Sequence, residues 1–303
     1  MAWIVIALAS AAIGAAVSTI DKTLLQNYLR SHVTLQLIIG ILQGFSGIVF
    51  TVSFAWSGGV LTGDALLAFI SGSIFGFSGL LLLYVLKHQE VSRVIPVSQT
   101  APVFAAVLAF MFLGETLLLI QWLAITVTVL GAMLLSIQPE VQHGRLSLQK
   151  SFFPLMVASL AMAVGYVTVK TPLDSLPVPL IHGMRSLGLS AVFLGFSTVN
   201  KDARRELISI IQKRSSGVAL VLVSEIGLVN GSFLLLLWAI SSGPVGLVTA
   251  LVSTRSVFVL LYSTTLSLRF KGLLAEKVTS KLIAFKLFAI TLIVIGIITI
   301  TVS

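Results

Sequence analysis

The chain has 303 residues, of which 57% are hydrophobic and only 10% are charged, and its mean hydropathy is +1.10. A soluble domain carries about 25% charged residues, so this composition excludes an ordinary water-soluble globule and indicates lipid as the surrounding medium. The absence of cysteine excludes disulfides, thiol catalysis and thiolate metal sites.

Apolar segments alternate with short polar breaks along the whole chain. A membrane-spanning helix needs about 20 apolar residues, and an open strand edge has no hydrogen-bonding partner in lipid, so each segment is predicted as a helix. The first segment lacks the basic residues that begin a signal peptide, and we expect it to stay uncleaved. The ten predicted spans are 3–20, 33–56, 65–86, 92–113, 117–137, 153–169, 179–198, 217–240, 245–268 and 282–302.

A polar stretch in the middle divides the predicted helices into two sets of five. We predict one five-helix unit over residues 1–138, a linker over 139–150 and a second five-helix unit over 151–303. The segment 201–216 carries five basic residues interspersed with leucine and isoleucine. It is either a short amphipathic helix on the membrane surface or a solvated loop that orients the protein.

The basic residues have a strong topological bias. Sixteen of the 19 lysines and arginines lie in or beside odd-numbered loops, and Lys170 is the only one near an even-numbered loop. The positive-inside rule therefore places the odd-numbered loops in the cytoplasm and both termini outside. The same bias accounts for the net charge of +9, so we predict a multi-pass protein of the cell membrane with the lipid bilayer, and no nucleic acid, as a partner.

An internal repeat relates the two units. Residues 80–84 (Leu-Leu-Leu-Leu-Tyr) match 234–238 (Leu-Leu-Leu-Leu-Trp), and the same offset of 154 pairs Val91 with Val245 and Phe104 with Phe258. Because five is an odd number, the second unit must enter the membrane from the opposite side. The predicted fold is therefore all-α, with ten transmembrane helices arranged as two inverted five-helix repeats, an arrangement typical of secondary transporters.

The segment from Pro102 to Glu115, Pro-Val-Phe-Ala-Ala-Val-Leu-Ala-Phe-Met-Phe-Leu-Gly-Glu, resembles the signature of EamA-type transporters of the drug/metabolite transporter superfamily. Glu90 to Arg93 and Asp21-Lys22 resemble positions in one branch of it. The second half has lost the proline and has Arg269 where the glutamate would fall. The resemblance implies ten helices around a polar cavity that moves small metabolites. It also implies cytoplasmic termini, whereas the charge bias predicts the opposite.

Charged residues within the predicted spans are the strongest site candidates, because a charge at mid-bilayer costs at least about 2.5–3.5 kcal/mol. Glu225 in the eighth span is either a proton or cation site or the partner of Arg255 or Arg185. Arg255 in the ninth span binds an anionic substrate or pairs with Glu225. Arg185 in the seventh span lines a vestibule or reaches the interface, and Lys170 at the end of the sixth either binds substrate or also reaches the interface.

In the first half the candidates are uncharged. Gln43, Gln99 and Thr100 can bind a ligand or a neighbouring helix. Pro96 and Pro102 are predicted to interrupt the fourth helix and free backbone carbonyls near the midplane, with a packing kink as the alternative. Glu115 is predicted to be a structural capping or interfacial group.

These residues predict a secondary transporter that moves a small anionic or zwitterionic metabolite by alternating access, with possible coupling to protons through Glu225. A flippase for a lipid-linked substrate is the alternative. An enzyme or a channel is less favoured, because the sequence shows no paired catalytic carboxylates, no histidine set at metal spacing and no repeated charged ring. We therefore predict no catalytic residue, no metal ligand and no bound cofactor.

Overall fold

The structure is a computed structural model that describes residues 2–29, 31–54, 63–88, 99–136, 152–212, 216–269 and 280–302. Within these ranges it is helical and has no strand. A 3₁₀ turn, Thr171–Asp174, follows α6, and a π-helical segment, Val223–Val229, lies between α9 and α10. The helices are α1 (Ala2–Asn27), α2 (His32–Phe54), α3 (Gly63–His88), α4 (Ala101–Leu113), α5 (Leu119–Ser136), α6 (Phe152–Thr168), α7 (Val178–Ser197), α8 (Lys201–Gln212), α9 (Ser216–Leu222), α10 (Asn230–Ser242), α11 (Val245–Val252), α12 (Arg255–Arg269) and α13 (Ser280–Val302).

The prediction of a multi-pass membrane protein agrees with the helix lengths. Among the described residues, seven helical stretches are long and apolar enough to cross a bilayer, and three further apolar helices are shorter. Large apolar side chains such as Phe112 and Phe153 lie more than two-thirds exposed on the outer surface, which is favourable in lipid and unfavourable in water. The ten crossings and the opposite orientation of the two halves stay predictions.

The ninth predicted span is broken, contrary to the expectation of one continuous helix. α11 ends at Val252, Ser253 and Thr254 form a turn, and α12 begins at Arg255. A turn at Gln99 and Thr100 likewise precedes α4, which begins at Ala101. The two turns are 154 residues apart, which is the offset of the repeat and supports the predicted relation between the halves.

The structure describes only the second part of the fourth predicted span. Pro102 is the second residue of α4, where its missing N–H has no helical acceptor and its fixed φ favours helix initiation. Pro102 therefore lies at the start of this helix, directly after the turn at Gln99 and Thr100. Pro96 and the first part of the predicted span lie outside the described residues, so the predicted interruption stays a prediction.

Helix packing agrees with the predicted repeat. α1 packs against α10 and α12, while α6, its predicted counterpart in the second half, packs against α3 and α4. α2 packs on α7, and α5 packs on α13, so each of these pairs joins a helix to its predicted counterpart. The pattern supports a repeated architecture in which both halves contribute to one helical bundle.

α3 and α7 cross in direct backbone contact at the level of Arg185. A β-carbon added at Gly72 would overlap the carbonyl oxygen of Arg185, and one added at Gly188 would overlap that of Phe69. Glycine at both positions lets the two backbones meet directly, as small residues do at membrane helix interfaces. This contact fixes the height of Arg185 relative to α3.

Segment 201–216 is helical over α8, which resolves one of its two interpretations. Leu207 and Ile210 pack into the apolar cluster around Leu24, while Ile208 and Ile211 are exposed. The helical interpretation is correct, because an apolar side turned toward α1 and α2 would not arise in a solvated loop. Its position on the membrane surface stays a prediction.

Candidate functional site

The π-helical segment Val223–Val229 carries Glu225 into the interior. A π-helical turn displaces the backbone carbonyls from their usual α-helical partners, and such turns are frequent at functional sites. Asn230 compensates locally: its Nδ2 donates to the carbonyl oxygens of Glu225 at 3.0 Å and Ile226 at 2.9 Å. The same amide nitrogen lies 3.0 Å from Ser46 Oγ on α2. Asn230 therefore ties the irregular segment to the first half.

His182 on α7 completes this polar chain. Its Nε2 lies 2.8 Å from Asn230 Oδ1, and because a carbonyl oxygen can only accept, the proton of the neutral ring is on Nε2. The ring packs edge-on against Phe50, with centroids 4.9 Å apart. Three helices from both halves thus meet through buried hydrogen bonds between Ser46, Asn230 and His182.

Glu225 is bound by an amide in place of the predicted arginine. The side chain is only 2% exposed, and Gln43 Nε2 lies 3.3 Å from its Oε2 and 3.4 Å from its backbone oxygen. In the part of the chain that the structure describes, neither Arg185 nor Arg255 forms an ion pair with Glu225. Gln43 Oε1 is buried and accepts no hydrogen bond, so it is an acceptor available to a ligand.

Arg185 is a buried cation on α7. It is 6% exposed, its guanidinium carbon lies 5.3 Å from the centroid of Phe75, and its Nε has no hydrogen-bond partner. Within the described ranges no carboxylate pairs with it. Arg185 and Gln43 face one small cavity of about 10 Å³, roughly the volume that one water molecule needs, so a metabolite can enter only when the surrounding helices move apart. The cavity is lined by Gln43, Gly72, Phe75, His182, Arg185, Ser186, Leu189 and Phe233.

Arg255 is a second, half-buried cation, and it lies against α1. Its position follows from the break in the ninth span, because Arg255 is the first residue of α12. Its Nη2 donates to Ser18 Oγ on α1, and its charge acts on Asp21 and Tyr166. Tyr166 also feels the charge of Arg185, so this phenol lies within electrostatic range of both arginines.

Asp21 was noted in the sequence only as part of the Asp21-Lys22 resemblance and was not predicted as a site residue. The first span was predicted to end at residue 20, but α1 continues to Asn27 and carries Asp21 inside the helix. Its Oδ1 is shielded from solvent and accepts no hydrogen bond. Its charge acts on Glu225 as well as on Arg255. The hydrophobic residues that follow, Leu24 and Leu25, were the available signal that the helix continues.

Gln99 joins the two broken helices. Its Nε2 donates to Ser256 Oγ at 2.5 Å, so the turn before α4 and the first turn of α12 are hydrogen-bonded. Thr100 lies instead at an apolar cavity of about 250 Å³ between α4, α5 and α6. This second cavity is lined by Thr100, Val103, Phe104, Thr126, Val129, Leu130, Met133 and Met156.

Lys170 and Glu115 form hydrogen bonds at the two ends of the connection between α10 and α11. Lys170 Nζ donates to the carbonyl oxygens of Ile240 at 2.5 Å and Gly243 at 3.1 Å, and the Glu115 carboxylate accepts from the Val245 N–H at 2.9 Å. A cation at a helix C-terminus and an anion at an N-terminus both favour the helix dipoles. Burial raises the pKa of Glu115, against the lowering effect of the Val245 amide and of Lys170.

The predicted site residues therefore fall into three places. Gln43 and Arg185 line the first cavity, Glu225 is hydrogen-bonded to Gln43, and Arg255 is bonded to Ser18 on α1. Gln99 lies at the hydrogen-bonded turns, and Lys170 and Thr100 are elsewhere, Lys170 as a helix-end group. Sequence reasoning missed the contributions of Asp21, Ser46, Phe75, Tyr166 and Asn230, which as single polar or aromatic residues in apolar spans give no pattern.

Comparisons with known proteins give the family of the first half. Residues 1–137 match the model of the EamA-like transporter family, which confirms the resemblance to the drug/metabolite transporter superfamily there. The chain is 39% identical to an uncharacterized protein of Methanocaldococcus jannaschii over 70 residues, which make up 23% of its length. The matched part spans about half, 51%, of that relative's length.

The fold has a counterpart among solved structures. One protein of known crystal structure superposes on this chain with a TM-score of 0.67. The match covers 99% of this chain and 96% of the other protein's chain. At 16% identity the likeness concerns the fold alone. The matched family is a family of transporters, which agrees with the multi-pass arrangement of apolar helices.

Proposed function

We propose that this chain, whose first half matches the EamA-like transporter family, is a secondary transporter of a small anionic or zwitterionic metabolite. Arg185 binds the anionic group, and Gln43 Oε1 accepts a hydrogen bond from a donor elsewhere on the ligand. Phe75 and Phe233 supply apolar walls. Arg255 and Glu225 form the polar side of the site toward α1.

The observation that carries this proposal is the unpaired buried arginine. A buried guanidinium is expensive unless it is paired and fully hydrogen-bonded. Arg185 lies against Phe75, lacks a partner at Nε and has no carboxylate partner in the described residues. An anion entering the cavity would supply the missing acceptor, and a planar carboxylate or a phosphate fits the fork of guanidinium donors.

Alternating access has support from an asymmetry in packing. α3 packs closely on α7 over a long contact. α10 is the predicted counterpart of α3, but α2 is contacted mainly by the π-helical segment that precedes α10. If the two halves exchange these arrangements, the tight contact opens and the loose one closes. The site between α2, α3, α7 and α10 would then face the other side of the membrane.

A ligand screen tests the site. A ligand present at 100 times its Kd stabilises the folded protein by about 2.7 kcal/mol, which a thermal-unfolding assay of the purified protein detects. We expect a carboxylate or phosphate metabolite to raise the unfolding temperature of the wild type and not that of Arg185→Met. Arg205→Met is the matched control, because Arg205 lies 80% exposed on α8 and should leave the response intact.

Arg185→Lys separates loss of charge from loss of the fork, and should give a reduced response. If every stabilising ligand acts equally on wild type and on both Arg185 variants, the anion site is elsewhere and the proposal fails.

One observation favours a second function. The apolar cavity between α4, α5 and α6 has about 250 Å³ and can hold part of an acyl chain, which is what a flippase for a lipid-linked substrate needs. Met156→Trp, which fills that cavity, should abolish movement of a lipid-linked substrate. Transport of a soluble metabolite that survives Met156→Trp would favour the first function.

A further inference from the structure

The short helix α8 has an outer face on which basic and apolar side chains lie side by side. Lys201 and Arg204 are exposed there, and Ile208 and Ile211 are 54% and 57% exposed. Residues three, four and seven positions apart share one side of an α-helix, so these four side chains form one continuous stripe. Arg205 lies to the side of the stripe, where Asp202 partly offsets its charge at 3.9 Å.

The opposite side of α8 is attached to the protein. Leu207 and Ile210 pack into an apolar cluster with residues of α1 and α2. Glu206 Oε2 accepts a hydrogen bond from Thr34 Oγ1, at the start of α2, at 2.5 Å. Because these contacts fix the rotation of α8 about its axis, the stripe of basic residues and isoleucines faces outward.

The level of α8 follows from its connection to α7. α7 is long and apolar enough to cross a bilayer and ends at Ser197, and only three residues separate it from α8. Phe196 and Val199 at this junction are 66% and 78% exposed, which is favourable beside acyl chains. Asn200 Oδ1 accepts from two backbone N–H groups of α8 at 3.0 Å and caps the helix. Three residues reach at most about 11 Å, so α8 starts close to the end of a membrane-spanning helix.

The mixed stripe fits the boundary between lipid headgroups and acyl chains. In water, Ile208 and Ile211 would be exposed at a cost, and in the hydrocarbon core the two cations would be costly. At the boundary the isoleucines enter the acyl region while lysine and arginine remain at the headgroups. A guanidinium there binds phosphate oxygens through its fork of donors, and a negative surface attracts both cations.

We propose that the outer face of α8 binds anionic phospholipid, with Lys201 and Arg204 on the headgroups and Ile208 and Ile211 among the adjoining acyl carbons. The lipid comes from the bilayer that holds the protein. Charge that only orients the protein requires no particular lipid and no isoleucine, whereas this surface requires a local excess of anionic lipid at α8. The proposal does not depend on the transported substrate.

A fluorophore on α8 measures the lipid beside it. The chain has no cysteine, so Gln212→Cys, at the exposed end of α8, can be labelled alone in the full chain. The liposomes contain equal amounts of phosphatidylcholine and phosphatidylglycerol, and in paired preparations one or the other has brominated acyl chains that quench the fluorophore. We expect stronger quenching by brominated phosphatidylglycerol, because each cation near the surface favours anionic lipid by about fivefold.

Two charge variants and one apolar variant test which side chains are responsible. Lys201→Gln with Arg204→Gln should make the two lipids quench equally. Lys201→Arg with Arg204→Lys keeps the charge and should keep the preference for phosphatidylglycerol. Ile208→Ser with Ile211→Ser should weaken quenching by both lipids alike. All four side chains are exposed, so the variants should fold, which thermal unfolding checks.

Asp174→Cys provides the control position. It lies in an exposed turn between α6 and α7, where the nearby Lys170 is engaged by carbonyl oxygens, so both lipids should quench it equally. Equal quenching at Gln212→Cys, the same preference at Asp174→Cys, or a preference that survives the neutral variant would overturn the proposal. Quenching by neither lipid at Gln212→Cys would place α8 away from the bilayer and would overturn it too. None of these results bears on the Arg185 site.

Discussion

Asn230 contributes more hydrogen bonds to the interior than any ionisable residue of the site. Its amide nitrogen lies within bonding distance of two carbonyl oxygens of the π-helical segment and of Ser46 Oγ, and its oxygen accepts from His182. An asparagine can both donate and accept, so one side chain satisfies backbone groups and joins α2, α7 and α10. Its role is to hold Glu225 at the cavity.

We predict that Asn230→Leu lowers stability and disturbs the site. The change leaves the carbonyl oxygens of Glu225 and Ile226 without their side-chain donor, and each unsatisfied buried group costs about 1–3 kcal/mol. The thermal unfolding temperature of the purified protein should fall clearly. Thr299→Val is the control, because Thr299 bonds only to the preceding turn of its own helix on an exposed surface. Equal unfolding temperatures for Asn230→Leu and Thr299→Val would contradict this role.

Glycines at two places that correspond in the predicted repeat have different surroundings. At the α3–α7 crossing there is no room for a β-carbon at Gly72 or Gly188. In the π-helical segment and α10, a β-carbon at Gly227 or Gly231 would have nothing within 4 Å. The sequence shows all these glycines as equivalent small residues. Only their neighbours distinguish a contact already made from a surface left open.

We predict opposite effects of alanine at these two crossings. Gly188→Ala must push α7 away from Phe69, so it should strongly reduce the yield of folded protein and its unfolding temperature. Gly231→Ala meets open space in an α-helix, where alanine is favoured over glycine by about 0.8–1.0 kcal/mol, so stability should be unchanged or slightly higher. Size-exclusion profiles and thermal unfolding check both. A stable, monodisperse Gly188→Ala would show that the crossing is looser than described.

The helices themselves could be predicted from sequence, while their breaks could not. Runs of apolar residues of sufficient length predicted every helical span in the described ranges, because lipid enforces helix wherever the backbone is unpaired. The break at Ser253 and Thr254 has no proline or glycine to mark it. The π-helical segment depends on Asn230 and on Gln43 from a distant helix. The first span was predicted to end near residue 20, just before Asp21, although its helix continues to Asn27.

The pairing of charges was also beyond the sequence. Glu225, Arg185 and Arg255 were identified as intramembrane candidates because such charges are costly. Their partners depend on helix rotation, which sequence does not specify. In the structure Glu225 accepts a hydrogen bond from Gln43, and Arg255 donates one to Ser18. Lys170, predicted as a possible substrate ligand, is held by the carbonyl oxygens that end α10.

At the scale of the molecule, the charge bias and the family resemblance predict opposite orientations. Sixteen of 19 basic residues are on one predicted side, which by the positive-inside rule is the cytoplasm. α8, with Lys201, Arg204 and Arg205, is predicted to lie on that side, and the turn around Asp174 between α6 and α7 is predicted to lie on the other. The absence of cysteine makes the question open to single-site labelling.

We predict that Asp202→Cys is protected from a membrane-impermeant maleimide in intact cells and labelled after permeabilisation, and that Asp174→Cys is labelled in intact cells. Both side chains are exposed, so access is limited only by the membrane. The reverse pattern would support the orientation that the family resemblance implies. Labelling of both residues in intact cells would contradict the placement of α8 and the Asp174 turn on opposite sides.

We propose that Arg185 binds an anionic substrate in a cavity that opens alternately to the two sides of the membrane. Counterflow in proteoliposomes tests this, with the ligand from the thermal screen trapped inside and a radiolabelled trace outside. We expect transient accumulation of label with wild type and with Arg205→Met, and none with Arg185→Met. Equal accumulation with Arg185→Met, or no accumulation with a ligand that binds the wild type, would contradict it.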